Sequence, residues 1–129
     1  MPTLFTKIVN GEIPSFKVAE DENYYAFLDI NPNAKGHTLC IPKKEEDKIF
    51  DLDEDTYLGL MRFSRKVAKA IEKTVACKRV GIAVVGLEVP HAHVHLIPLN
   101  QMSEMTFQHK ISMPEPDLKA LAAEIQSNL

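Results

Sequence analysis

The chain has 129 residues, a formal net charge of −3 and a pI of about 5.9. That length suits one domain with one core, and a hydrophobic share of 45% excludes a disordered chain. A weakly acidic chain offers no broad basic face, so a general nucleic-acid binder is not expected. A small anionic ligand needs only a few local positive groups and stays open.

The first thirty residues hold no cationic region followed by an apolar run, so no signal peptide is read there. No apolar stretch approaches the length that spans a bilayer, and a soluble cytoplasmic protein is expected. Cys40 and Cys77 lack C-x-x-C spacing, which argues against a zinc knuckle or a thioredoxin-type motif. Two reduced thiols are expected in that compartment.

In chain order, residues 3–10 predict a short helix, with Thr3 as cap, Phe5, Ile8 and Val9 as its apolar side, and Asn10-Gly11 as its end. Pro14 blocks continuation. Residues 15–20 and 24–30 read as the strands of a hairpin, turned at Asp21-Glu22-Asn23. Asn31 to Gly36 has strong turn chemistry. His37 to Pro42 follows as a short apolar strand. Asp29 and His37 flank that loop as polar residues at strand ends, where sites are commonly built.

Residues 53–77 predict the one long helix, with Asp53 as cap and Glu54 and Asp55 in the first turn. Tyr57, Leu60, Met61, Ser64, Val67, Ala68, Ile71 and Val75 recur at three- and four-residue steps, a stripe for core or subunit contact. Residues 79–86 read as an apolar strand, residues 91–99 as another, and residues 100–116 as an irregular loop marked by Pro114 and Pro116. Asp117 is placed to cap a final helix through Asn128. With no repeats or linkers, residues 1–129 form one α+β domain: antiparallel strands in two groups around one long helix, with short terminal helices.

The chemistry lies in His91-Ala-His93-Val-His95-Leu-Ile-Pro-Leu99. Strict alternation is the strand pattern, and it puts His91, His93 and His95 on one face, about 6.5–7 Å apart along the chain. Ala92, Val94 and Leu96 would face a core. Two chemistries fit a row of imidazoles. A His-x-His pair with a distant His37 could hold zinc, but no carboxylate or cysteine stands at ligand spacing. The covalent alternative needs no metal: a deprotonated imidazole attacks phosphorus, and a second, protonated one stabilises the phosphoryl oxygens and assists the leaving group. No G-x-x-x-x-G-K-[ST] or G-x-G-x-x-G stretch exists, so a P-loop enzyme or kinase is not expected.

His91-Ala-His93-Val-His95-Leu-Ile resembles the His-φ-His-φ-His-φ-φ motif (φ apolar) of the histidine triad superfamily of nucleotide hydrolases and transferases. Leu4 to Ile8, Asn10-Gly-Glu-Ile-Pro14, Ala26 to Pro32 and Gly36 to Lys43 extend the likeness over residues 3–99, leaving 100–129 as a C-terminal loop and helix. The resemblance implies a domain with an antiparallel sheet, usually a homodimer, acting at the α-phosphate of a nucleotide derivative such as an adenosine phosphoramidate. It implies no cofactor and no metal. By position, His93 would be the nucleophile, His95 would contact the phosphate and leaving group, and His91 and His37 would support them. Asp29 would bind ribose hydroxyls, and Phe5, Ile8, Phe27 and Ile30 would wall the base pocket; the same four apolar residues also read as plain core. A nucleotide-binding or scaffold protein with little turnover, and a metal-dependent hydrolase, are the alternatives.

One difference stands out. Relatives of the phosphoramidase branch carry a longer, glycine-rich, serine-containing loop before the triad. Here only Leu87 to Pro90 separates Gly86 from His91. A serine hydroxyl for the leaving group has no counterpart, and the segment 101–116 with His109 is the candidate to compensate.

Overall fold

The computed structural model describes residues 2–129. Thr3 opens the first helix, its hydroxyl accepting from the Thr6 N–H at 3.0 Å. That satisfies one of the helix's unpaired donors, and α1 runs Leu4–Val9. Five strands follow: β1 (Lys17–Glu20), β2 (Tyr24–Leu28), β3 (Thr38–Pro42), β4 (Arg79–Ala83) and β5 (Val94–Leu99). They form one antiparallel sheet in the order β1-β2-β3-β5-β4. The two strand groups read from the sequence are therefore joined, through pairing of β3 with β5 that sets Leu39 opposite His95.

Period-two alternation gives the sheet two different faces. On one, Tyr24, Ala26, Leu28, Cys40, Val94 and Leu96 pack under the long helix α2 (Glu54–Thr74) and the last helix α3 (Glu115–Ser127). On the other, Tyr25, Phe27, Leu39 and Ile41 pack under Phe5 and Ile8 of α1. The Asp53 carboxylate caps α2 by accepting from the Thr56 N–H at 3.1 Å. Gly59 lets this helix lie close on β2, because a Cβ there would run into the Tyr24 ring. The Tyr24 hydroxyl in turn donates to the Thr56 carbonyl at 3.0 Å.

Three boundaries differ from the sequence reading, each for a local reason. β5 begins at Val94, not at His91. Its neighbour β3 ends at Pro42, which has no N–H with which to extend a ladder. The chain from His91 to His93 is pinned by other bonds instead: His91 N–H donates to Val89 O at 2.8 Å and Ala92 N–H to Glu46 O at 2.7 Å. β4 stops at Ala83, opposite His95, and the chain turns away with Gly86 at φ +71°. α3 starts at Glu115 with Pro114 at its cap position. Pro116 sits in the first turn, where a missing N–H costs nothing, so Asp117 lies inside the helix and does not cap it. Among the described residues no helix is long and apolar enough to cross a membrane.

Candidate active site

Four histidines converge where β3, β5 and the lead-in to β5 meet α1. His91 and His37 are sealed, at 0% and 1% exposure, while His93 and His95 keep 6% and 8%. His93 and His95 meet edge to face with ring centroids 4.9 Å apart. The Phe5 ring packs edge-on to His93 at 5.0 Å and to His91 at 5.8 Å. His93 and His95 are thus side by side and the Phe5 ring touches both His93 and His91, but only His95 lies within β5.

Backbone partners fix where each ring carries its proton, since a carbonyl only accepts and an amide only donates. His91 donates from Nε2 to Pro42 O at 2.8 Å. Its Nδ1 then accepts from the Thr3 hydroxyl at 2.7 Å. His93 donates from Nδ1 to His91 O at 2.7 Å, so the neutral ring presents a lone pair on Nε2. The Asn33 N–H donates to His37 Nδ1 at 2.9 Å, which puts the His37 proton on Nε2. From there it is donated to His95 Nδ1 at 3.0 Å, and His95 carries its own proton on Nε2. The site thus offers one bare imidazole nitrogen, on His93, and one N–H, on His95.

Burial disfavours the charged ring. It drives His37 down to about 3, with His95 and Lys110 adding repulsion, and His95 down to about 4, with His93 and Lys110 adding repulsion. His91 is lowered as well, by burial first. The second imidazole is therefore a neutral hydrogen-bond donor in the free protein, where the sequence reading had a protonated one.

Asp29 leaves the end of β2 beside this group. Burial raises its carboxyl above the ordinary range, against the Asn31 N–H that donates to Oδ1 at 2.8 Å and the positive charge of Lys110. Oδ2 lies 3.7 Å from His37 Nε2. With His37 held neutral, this is a polar contact and not an ion pair. Ligand atoms of Asp29, His37 and His95 lie within 4.8 Å of one another, close enough to suggest a cation site. The proton arrangement fits one poorly. A metal on His37 Nε2 would need the proton moved to Nδ1, where it would face the Asn33 N–H.

Phe5, Ile8 and Phe27 share one buried cluster, with Phe5 and Phe27 edge to face at 5.4 Å. Ile30, just past β2, is 64% exposed and lies outside that cluster. The segment after β5 does reach the site, but through residues other than His109, which is exposed. Phe107 packs edge-on to His95 at 4.8 Å and to His37 at 6.0 Å. It does so at φ +62°, a left-handed conformation that costs a non-glycine residue about 1–2 kcal/mol. Lys110 Nζ lies 5.0 Å from the Phe107 ring centroid and donates to Asn33 Oδ1 at 2.7 Å. The Asn33 side chain donates to Glu104 O at 2.8 Å. Sequence reasoning missed Asn33, Phe107 and Lys110 and saw Thr3 only as a helix cap. No periodicity marks residues in irregular loops.

A model of the HIT domain matches residues 10–102. The chain belongs to the HIT, or histidine triad, family. A relative from Schizosaccharomyces pombe, named adenosine 5′-monophosphoramidase hnt1, is 37% identical over 135 aligned positions that cover 100% of this chain and 99% of its own. A crystal structure of a Hit-like protein involved in cell-cycle regulation from Bartonella henselae, with an unknown ligand, superposes with a TM-score of 0.86. It is 32% identical, covering 98% of this chain and 96% of that one. A zinc-bound histidine triad family protein from Mycobacterium smegmatis gives a TM-score of 0.82 at 27% identity, covering 97% and 91%.

The lowered histidines set a pH dependence of stability. In the unfolded chain they take up protons near 6.5, whereas folded His37 and His95 wait until about 3 and about 4. Between those values the unfolded state binds more protons, so stability is complete above about pH 6.5 and falls as the pH drops towards 4. Thermal melts across that window are expected to show a falling Tm, with a shallower slope in His37→Asn. A wild-type Tm that stays level or rises on acidification would contradict the proton assignment.

Proposed function

We propose that this chain is a nucleotide hydrolase or transferase that attacks the α-phosphate of a nucleoside phosphoramidate or related nucleotide conjugate through a covalent nucleotidyl-histidine intermediate. The observation that carries the reading is the His93 ring. Its Nδ1–H is committed to His91 O at 2.7 Å, which makes Nε2 the nitrogen that carries the neutral ring's lone pair, beside the N–H of His95. Membership of the HIT family and likeness to a named adenosine 5′-monophosphoramidase support it.

In this reading His93 Nε2 forms a bond to the α-phosphorus as the bond to the leaving group breaks, and the leaving group departs with the electron pair, an amine taking the His95 Nε2 proton as it goes. Water then attacks phosphorus and returns a proton to His95 Nε2, and the P–N bond to His93 breaks with its electron pair returning to the ring. Two displacements at fixed positions replace one difficult one. His91 and His37 hold the two working rings in orientation and tautomer. Asp29 receives ribose hydroxyls, and Phe5, Ile8, Phe27 and Ile30 wall the space for an AMP-type base. No metal or cofactor enters these steps.

Turnover of a fluorogenic adenosine phosphoramidate tests this. Wild type is expected to hydrolyse it with and without chelator, and His93→Ala to lose at least a thousandfold in kcat while still binding AMP. In the same assay Asp29→Ala should weaken ribonucleotide substrates more than deoxyribonucleotide ones. Full activity in His93→Ala would remove the mechanism. Binding of AMP without any turnover by wild type would favour a nucleotide-binding or scaffold role, and activity lost to chelator and restored by zinc would favour a metal-dependent hydrolase.

The working unit in this reading is a cytoplasmic homodimer. Both cysteines are free thiols, in keeping with a reducing compartment. β4 is an edge strand, and Ile82, Val84 and Val85 on and beyond it are 50%, 42% and 51% exposed. An apolar edge left open invites pairing with another strand. Light scattering is expected to give twice the chain mass for wild type and a smaller mass for Ile82→Lys; a wild-type monomer at micromolar concentration would contradict the dimer.

A further inference from the structure

The proton on His37 is placed by the peptide unit that joins Pro32 to Asn33. The N–H of that unit donates to His37 Nδ1 at 2.9 Å. Its carbonyl, on Pro32, accepts from the Ile111 N–H at 2.9 Å. A trans peptide is planar, with its C=O and N–H on opposite edges. A bond to the carbonyl edge therefore sets where the N–H edge points. The other main-chain bonds of this loop join Asp29 N–H to His37 O and His37 N–H to Ala34 O, and they bypass the unit between Pro32 and Asn33.

The Asn33 side chain adds two ties to the same segment. Its Nδ2 donates to Glu104 O at 2.8 Å, and its Oδ1 accepts from Lys110 Nζ at 2.7 Å. A carbonyl only accepts and an ammonium only donates, so one orientation of the amide satisfies both. Asn33 is 3% exposed, and loss of either partner would leave a buried polar atom unpaired. Phe107, from between these partners, packs edge-on against His95 and His37. Its ring offers neither imidazole a competing hydrogen bond. Glu104, Lys110 and Ile111 all lie beyond residues 10–102, which the family model matches.

We propose that residues 104–111 position the Pro32–Asn33 peptide for catalysis, with Glu104, Lys110 and Ile111 holding it so that His37 and His95 both carry their protons on Nε2. The inference rests on the reading of His93 as nucleophile and His95 as proton donor, and it assigns what keeps that donor in place. Asn33, Glu104, Lys110 and Ile111 are positioning residues, since they act through His37.

The consequence of losing the ties follows from the hydrogen-bond chain. In a neutral imidazole, the bond made at one nitrogen decides where the proton sits. With the peptide turned over, its carbonyl would face His37 Nδ1 and draw the proton there. The bare Nε2 of His37 would then accept from His95 Nδ1–H, and His95 Nε2 would become a second lone pair beside that of His93. A departing amine would find no proton at that position.

The test reads the rings directly. Two-bond proton–nitrogen NMR correlations of isotope-labelled histidine in the wild type are expected to show the proton of His37 and of His95 on Nε2. Asn33→Ala should shift both rings towards protonation at Nδ1. On adenosine 5′-phosphoramidate it should lower kcat roughly tenfold or more, with KM changed far less. Lys110→Met, which keeps the Asn33 side chain, should do the same to a smaller degree, and Lys110→Arg should restore the wild-type pattern. Wild-type tautomers in folded Asn33→Ala and Lys110→Met would overturn the proposal, whatever their melting temperatures. Shifted tautomers with full kcat would overturn it as well, by showing that turnover does not use the proton on His95. A wild type with the expected tautomers but no turnover would sink the reading of His93, while the ring spectra of the variants still decide whether the segment positions the peptide.

Discussion

The Asn33 N–H points at Nδ1 of His37, and the position of every proton on that side of the site follows from this one hydrogen bond. A backbone amide cannot accept, so His37 must present its proton at Nε2, and His95 must accept that proton at Nδ1. The His91 carbonyl imposes the opposite order on His93. Two neighbouring imidazoles of identical chemistry thereby become different reagents, one a lone pair and one a donor. Neither assignment depends on a charged partner. Both depend on main-chain groups, which are held by the fold and do not titrate.

The sheet makes this possible by giving its two faces separate tasks. The face under α2 and α3 is apolar and carries the main core, including Val94 and Leu96 from between and beyond the histidines. The other face is thinly covered by α1, whose Phe5 ring packs on two of the histidines. Thr3 serves both ends of this arrangement. Its hydroxyl accepts from the Thr6 N–H to start the helix and donates to His91 Nδ1 to complete that ring's bonding. Local helix chemistry and site geometry are thus coupled through a single oxygen. Where glycine appears at a constrained point it serves the same end: Gly36, at φ +96° and packed against Val75 and Pro98, turns the chain directly into His37.

Much of this was legible in the residue pattern. Alternation of His91, His93 and His95 with Ala92, Val94 and Leu96 gave the two faces, and the three- and four-residue stripe from Tyr57 to Val75 gave α2. The strand limits were less legible, because a ladder ends where its neighbour stops offering bonds: Pro42 ends the register with the histidine stretch, and the apolar run of Val84 and Val85 outlasts the pairing of β4. Least legible were the contributors from irregular chain. Asn33 reads as a turn residue and Phe107 as a lone aromatic. Lys110 reads as one charge among fifteen basic residues. Only the folded chain brings them to the histidines. His109 attracted notice by residue type, while Phe107 and Lys110 hold the contacts.

The central claim is that His93 Nε2 becomes bonded to phosphorus during turnover. Rapid quenching into base during a single turnover, followed by peptide mass spectrometry, tests this directly, since a phosphoramidate bond survives base and is lost in acid. The account predicts a transient nucleotidyl adduct on the peptide bearing the triad, mapped to His93 and forming no more slowly than product appears. Product formed with no adduct at any time, or an adduct mapped to His91 or His95, would contradict it.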